Sequence, residues 1–421
     1  MLTVQTTRKQ LVSMEHSTNN RKKDDSMKYY IIAGEASGDL HGSNLMKGLY
    51  AEDPDAQIRF WGGDCMQEVW AASESGSQSD SGLVRHYKEG AVMGLVEVLA
   101  KIPKLLGNIK YCKKDIAAWK PDVVILIDYP GFNLKIAEFA HKAGFKVFYY
   151  IAPKVWASRE GRIKKLKKHI DKLFIVFPFE IPYFEAKGVN FIYKGNPLVD
   201  AVDNSVASSQ TKEEFLGSCK IENTPYIAML AGSRKGEINT MMPVLTEFAS
   251  KLHSTMEYSN YQFIIAGAPS RNINDYKKWL TEENSKYIKV VFGQTQSVIR
   301  HAEAAVVNSG TASLETVLLN TPQVVGYITN PITYKIAKKI IKIKYISLGN
   351  LIVDKLAFKE FIQNDCNSND LIKEIRALIE DKDYRQQMLD NYTEIRNALG
   401  GSGASSAVAK SMIEELRKSN R

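Results

Sequence analysis

Cysteine is scarce, and no two cysteines are paired in sequence. Cys65, Cys112, Cys219 and Cys366 stand far apart among 421 residues, without C-x-x-C spacing. Neither a zinc cluster nor a disulfide framework is encoded, and the usage fits a reducing cytoplasm. Long hydrophobic runs are missing too. "VVILID" (123–128) and "LFIVFPF" (173–179) have the length of buried strands, far below the ~18 residues of a membrane-spanning helix. Residues 1–26 are polar and mixed in charge. With no apolar stretch they are no export signal, and they read as a disordered extension ahead of Met27.

A further absence is the dinucleotide fingerprint. The first apolar strand runs into "IIAGEASGD" (31–39), where a nucleotide fold would place its phosphate loop. It carries Gly34 and Gly38 but not G-x-G-x-x-G, and Glu35 and Asp39 would repel a phosphate. This argues against a nicotinamide oxidoreductase. No Walker A loop occurs either. Carboxylates and small residues at a strand end suit a hydroxyl-rich sugar instead.

What is present is an ordinary globular composition, 44% apolar and 24% charged, long enough for two or three domains. The net charge of +9 is unevenly spread. Residues 154–172 ("KVWASREGRIKKLKKHIDK") are mostly basic, and 334–345 mix lysine with isoleucine. Neither stretch sits in a nucleic-acid-binding module or beside an aromatic platform, so no nucleic-acid partner is expected. A solvated helix face, an anionic membrane surface and a phosphorylated substrate stay open as explanations.

Apolar runs alternate with helix-period sequence. The runs are 29–34, 57–63, 122–128, 146–152 and 172–178, then, after a polar stretch, 226–232, 261–267, 288–293, 304–310 and 322–327. Continuous apolar strands separated by helices imply parallel sheets covered on both faces. The expected fold class is α/β, with two facing Rossmann-like, doubly wound parallel-sheet domains. The expected divisions are 27–200, a connector at 201–224, 225–366, and C-terminal helices at 367–421 packing back across the domains. A glycine cluster, "LGGSGASS" (399–406), breaks those helices.

Ligands of open α/β sheets bind beyond the carboxyl ends of strands, so the loops there are the candidate sites. "NSGTASLE" (308–315) follows a strand and opens a helix. Its small residues Ser309, Gly310, Thr311 and Ala312 let backbone amides reach an anion at the helix start. Glu315 could accept hydrogen bonds from a pair of ribose hydroxyls, and Asn308 precedes the turn. "GSRKGE" (232–237) adds Ser233 and a guanidinium at Arg234 suited to bidentate phosphate recognition. A well-capped helix would explain either loop alone; together they suggest a diphosphate held without a required metal or other cofactor. "DYPGFN" (128–133) ends its strand in Asp128, placed either for a general base or as the N-cap of the next helix. Glu35 shares that cleft, with Ser37, Gly38, Asp39 and Asn133 as candidate sugar contacts.

Eight strings occur in order: "GEASGDLHGSNLM", "GLVEVLAKIPKLL", "DYPGFN", "YYIAPKVWASREGRI", "PFE", "YKGNPLVD", "AGSRKGEI" and "NSGTASLE". Together they resemble the lipid-A-disaccharide synthases, over nearly the whole chain from Met27. The resemblance implies the GT-B glycosyltransferase arrangement. It further implies inverting transfer of 2,3-diacylglucosamine from UDP-2,3-diacylglucosamine to 2,3-diacylglucosamine 1-phosphate, forming a β-1,6 disaccharide in lipid A synthesis. By the same match Asp128 is the leading base or acceptor-positioning residue, with Glu35 next. Arg234 and residues 309–312 would then stabilise the leaving diphosphate, and Glu315 would hold the ribose. The chain departs from the pattern at "LAFKEF" (356–361) and at Ser158 in "VWAS", which leaves any stacking there to Trp156.

Acyl chains need an apolar surface. Val92, Leu95, Val96, Leu99 and Ile102 recur at helical spacing in 91–107, Met93 widens the face, and Pro103 marks an expected break. Either a buried core helix or a surface for acyl chains and the membrane interface explains this. The second reading, with the basic stretches, places the protein peripherally on the cytoplasmic face of the inner membrane. A homodimer is compatible with all of these features.

Overall fold

The computed structural model describes residues 26–73, 80–90, 95–331, 334–335 and 343–419. Each apolar run becomes a parallel strand because β-branched and aromatic side chains fill both faces of a pleated, covered sheet. The first half builds β1 (Lys28–Ala33), β2 (Gln57–Gly62), β3 (Gly82–His86), β4 (Val123–Ile127), β5 (Lys146–Tyr150), β6 (Lys172–Ile175) and β7 (Phe191–Tyr193). They form one sheet in the order β3-β2-β1-β4-β5-β6-β7. The second half builds β8 (Tyr226–Leu230), β9 (Gln262–Gly267), β10 (Ile288–Phe292), β11 (Ala304–Asn308), β12 (Gln323–Tyr327) and β13 (Glu360–Ile362). Their order is β10-β9-β8-β11-β12-β13. All recorded pairings in both sheets are parallel. This is the doubly wound, two-domain arrangement expected from the alternation.

Three strands, β3, β7 and β13, have no long apolar run behind them. Each lies at a sheet edge and is short and only partly covered, so its sequence carries no strong apolar signal. The polar stretch 201–224 is more than a linker. Thr211 and Glu214 form a capping box that starts the helix Lys212–Cys219, whose Phe215 and Leu216 are buried.

The expected break at Pro103 does not occur. The helix Leu95–Trp119 runs through it. A proline removes one backbone bond, and burial of Ile109, Cys112, Ile116 and Trp119 anchors the following turns. Val92 and Met93, and the side chains of Leu95, Val96, Leu99 and Ile102, lie outside the described residues. Farther along this helix Leu106 and Tyr111 are exposed. Among the described residues no helix is long and apolar enough to cross a membrane.

The last three helices divide their contacts. Ser368–Glu380 and Lys382–Leu399, started by the side-chain caps Asn367 and Asp381, pack on the second half. Gly400 and Gly403, both at positive φ, then turn the chain back. The helix Ala404–Ser419 lies against Ala36–Glu52 and Pro197–Asp203 of the first half. Gly48 makes the close approach feasible: a Cβ there would stand 2.8 Å from Ala409 Cβ.

Candidate functional site

The candidate loops converge because their strands are neighbours. β1 pairs with β4, placing Ala33 opposite Ile127. β8 pairs with β11, placing Leu230 opposite Val307. In each sheet the chain order reverses between these two strands, which opens a crevice at their carboxyl ends.

Asp128 follows β4 in a left-handed conformation, φ +43°, and Tyr129 repeats it at +46°. Ile151, after β5, stands at +61°. Such residues cost about 1–3 kcal/mol each and gather where surrounding structure enforces them. The enforcing contacts are specific. Asn133, fully buried, donates its Nδ2 to the carbonyls of Ile127 (3.1 Å) and Asp128 (2.8 Å). The Tyr149 hydroxyl also donates to the Asp128 carbonyl. The Tyr129 ring packs over Gly34, where any Cβ would collide with it.

Asp128 is not an N-cap. Tyr129 occupies the cap position of the helix Pro130–Lys142, with no side-chain capping bond. The carboxylate faces the cleft instead. Burial pushes its pKa above the ordinary value, while Lys154 opposes that shift, Glu35 adds to it, and the Tyr129 amide and Arg234 oppose it.

Asp128 lines one cavity with Ser37, Gly38, His41 and Lys154 on the first half and Thr311, Leu314 and Leu348 on the second. The cavity therefore lies between the two domains. Farther along the cleft, Arg234 Nη2 of the second half stands 3.9 Å from Glu35 Oε2 of the first. Arg234 Nη1 also donates to Glu237 Oε1 at 2.9 Å. The other oxygen of Glu237 accepts the amides of Ser233 (3.0 Å) and Arg234 (3.1 Å). Glu237 thus closes a capping box at the start of the helix Lys235–His253.

Around "NSGTASLE" the structure separates two kinds of residue. Ser309 belongs to the fold: its amide donates to the Gly326 carbonyl and its hydroxyl to that of Ile346. Thr311 faces the cavity at the start of the helix Thr311–Leu318, directly after Gly310, and Ala312 is half-buried. Asn308 is buried beside Gly232, and its Oδ1 has no partner among the described residues. Glu315 accepts a bond from Gln296 Nε2 (3.3 Å), and burial raises its pKa.

A family profile described as Lipid-A-disaccharide synthetase matches residues 29–412. Lipid-A-disaccharide synthases of Trichlorobacter lovleyi and Syntrophus aciditrophicus are 33% and 34% identical to the chain. They cover 91% and 93% of it, and 97% and 98% of their own lengths are matched. The chain belongs to the lipid-A-disaccharide synthase family. It is an enzyme of the glycosyltransferase class, and its place is in lipid A biosynthesis. Solved structures agree on the fold. A UDP-GlcNAc 2-epimerase of Neisseria meningitidis superposes with a TM-score of 0.65 at 13% identity, covering 92% of this chain and 100% of that one. A transferase of Siraitia grosvenorii in complex with UDP gives 0.56 at 11%, covering 93% and 99%. These place the synthase-family chain among two-domain GT-B folds.

Two expected sugar contacts are corrected. Asp39 is buried, and its carboxylate accepts the amides of Gly63 (2.6 Å), Cys65 (3.1 Å) and Met66 (3.2 Å). It anchors the start of the helix Asp64–Ala71 and is used up by that task. Asn133 sits behind Asp128 and shapes its backbone. Sequence reasoning had not singled out Lys154, His41, Glu237 or Gln296. Lys154, His41 and Glu237 lie inside strings that carry the family resemblance, and Lys154 also opens the basic stretch; Gln296 carried no signal. His41 is buried, and burial lowers its pKa to about 4 against the pull of Asp200, so the ring is neutral near pH 7.

Proposed function

We propose that this enzyme transfers 2,3-diacylglucosamine from UDP-2,3-diacylglucosamine to the 6-hydroxyl of 2,3-diacylglucosamine 1-phosphate, with inversion. Asp128 removes the hydroxyl proton. The freed oxygen attacks the anomeric carbon, the bond to the diphosphate breaks, and UDP leaves with the electron pair. Arg234 and the amides at 310–312 meet the charge that develops on the diphosphate. Glu315, held by Gln296, accepts from the ribose, and Asn308 offers its unpartnered Oδ1 as an acceptor to the sugar nucleotide. As the diphosphate binds, it displaces Glu35 and Glu237 from Arg234. The observation that carries this reading is an interdomain cleft with a strained, desolvated carboxylate on one wall and a helix N-terminus at Thr311 and the Arg234 guanidinium on the other.

The acyl chains are proposed to lie along the apolar segment 91–107. A recess that reaches Asn108, the residue after that segment, and is lined by Trp61, Tyr129 and Phe132, adds aromatic surface next to Asp128. With the basic stretches this supports peripheral attachment to an anionic membrane surface, on the cytoplasmic face. Flotation with anionic liposomes at low salt tests that part; an unbound protein would refute it.

The reaction itself is tested by UDP release from UDP-2,3-diacylglucosamine, with and without 2,3-diacylglucosamine 1-phosphate, for the wild type and Asp128→Ala. Acceptor-dependent release, lost in the variant while UDP affinity persists, is expected. Release that survives the substitution would move the base to Glu35. No release from the wild type would overturn the assignment.

A further inference from the structure

The interdomain cavity holds a buried polar side chain that the chemistry above does not use. Of the polar groups that line it with Asp128, Ser37, Lys154 and Thr311 are exposed, and water can serve them. Asn196 is buried but occupied: its Nδ2 donates to the Val176 carbonyl (2.9 Å) and its Oδ1 accepts the Leu198 amide (2.9 Å). His41 is the remaining one. It is 8% exposed, and its Nδ1 is buried with no partner among the described residues. Asp200, the acid whose field reaches the ring, already accepts the amides of Gly403 and Ser405.

The backbone fixes where this ring stands. His41 lies one helical turn after Ser37 in Ala36–Glu52, so the two share a face, and both line the cavity. Gly38 and Gly42 seat that helix against the end of β4. A Cβ at Gly38 would stand 3.9 Å from Ile127 Cγ2, and one at Gly42 3.3 Å from Ile127 Cδ1. Asp128 follows Ile127 directly, so the imidazole and the proposed base are carried by two elements in contact. A buried nitrogen without a partner costs stability, and a ligand hydroxyl that pairs with it removes that cost. A hydroxyl suits a neutral imidazole, since each both donates and accepts, and burial keeps this ring neutral near pH 7.

The acceptor offers one such group. In 2,3-diacylglucosamine 1-phosphate the anomeric position and carbons 2 and 3 are substituted, and the oxygen on carbon 5 closes the ring. Only the 4- and 6-hydroxyls are free. Asp128 takes the proton of the 6-hydroxyl, whose arm is borne by the neighbour of carbon 4. We propose that His41 pairs with the acceptor's 4-hydroxyl and makes that group a condition of efficient transfer. The acceptor, rather than the donor, is the partner because His41 and Asp128 both belong to the first half, whereas Arg234 and Thr311 belong to the second. The inference rests on the transferase reading above and assigns it a specificity-determining residue.

The test compares UDP release with 2,3-diacylglucosamine 1-phosphate and with its 4-deoxy analogue, for the wild type and His41→Leu. His41→Phe, a flat ring without nitrogens, is the second variant should the first fail to fold. A neutral hydrogen bond is worth roughly three- to tenfold. The wild type should prefer the hydroxylated acceptor by at least that factor in kcat/KM. The variant should treat the two acceptors alike and keep its KM for the donor. A wild type indifferent to the 4-hydroxyl, or a variant that is slower with its preference intact, would overturn the contact. So would a variant that stops discriminating against a 4-deoxy donor instead, which would move the ring to the donor side. If the wild type releases no UDP with either acceptor, the transferase reading fails. Calorimetric titration with glucosamine 1-phosphate and its 4-deoxy analogue then decides the contact alone: a preference lost in His41→Leu supports it, and equal binding of the two by the wild type refutes it.

Discussion

Asp128 combines three costs that a surface carboxylate avoids: a left-handed backbone, burial, and the nearby charge of Glu35. Its folded pKa is raised, so above both pKa values the ionised side chain destabilises the native state. Asp128→Asn should therefore abolish most activity, by about 10²- to 10⁴-fold for a general base. The same variant should raise stability by ~1 kcal/mol, as for other destabilised active sites. Calorimetry beside the UDP-release assay checks both halves; a less stable variant would contradict the argument. Lys154 supplies a second handle, because its charge holds the Asp128 pKa down. A base must be deprotonated, so activity rises as pH passes through that pKa. Lys154→Gln should move the acid limb of the kcat profile to higher pH, and an unmoved limb would separate Lys154 from Asp128.

The elements around the cleft are held by buried polar anchors. Glu180, almost fully buried, accepts the amides of Val176 and Phe177 and the Trp156 indole N–H at 3.0 Å. Burial lifts its pKa from 4.5 to about 7 against those bonds. A folded pKa above the unfolded one means the folded form binds more protons in between, so this contribution is complete below pH 4.5 and is lost up to pH 7. Glu180→Gln should flatten the difference in stability across that window, by up to ~3 kcal/mol, measured by denaturation at successive pH values.

The same scale shows what the sequence could reveal. β1, β4, β8 and β11 are uninterrupted apolar runs whose ends carry the motif loops, so both the sheets and the cleft were legible. Asp39 and Asn133 were misread because a carboxylate or amide near a strand end looks alike whether it faces ligand or backbone. Only the recipient amides and carbonyls distinguish the two, and those come from other segments. Pro103 was misread for a related reason: the propensity to break was local, while the packing that overrides it lies one to four turns downstream.

At the scale of the whole molecule the halves are tied by two chain crossings. Asp203 accepts both Arg396 Nη2 bonds (2.6 and 2.7 Å) and the Ser402 hydroxyl. Asp200 accepts the amides of Gly403 (2.5 Å) and Ser405 (2.7 Å), capping the final helix onto the first half. Asp200→Ala should cost about 1–3 kcal/mol, the penalty for orphaning buried donors. It should also speed proteolytic cleavage near Gly400 while residues 225–399 stay protected. Uniform loss of protection would show that the final helix is not a separable tie.

The return of that helix to the first half has a consequence for biosynthesis. The apolar face of Ala36–Glu52 is translated ahead of the whole second domain, yet its cover, Ala404–Ser419, follows that domain. On the ribosome the leading domain must wait, partly uncovered, until the second domain has been made. A premature stop near residue 400 would leave the second sheet intact and strip the first.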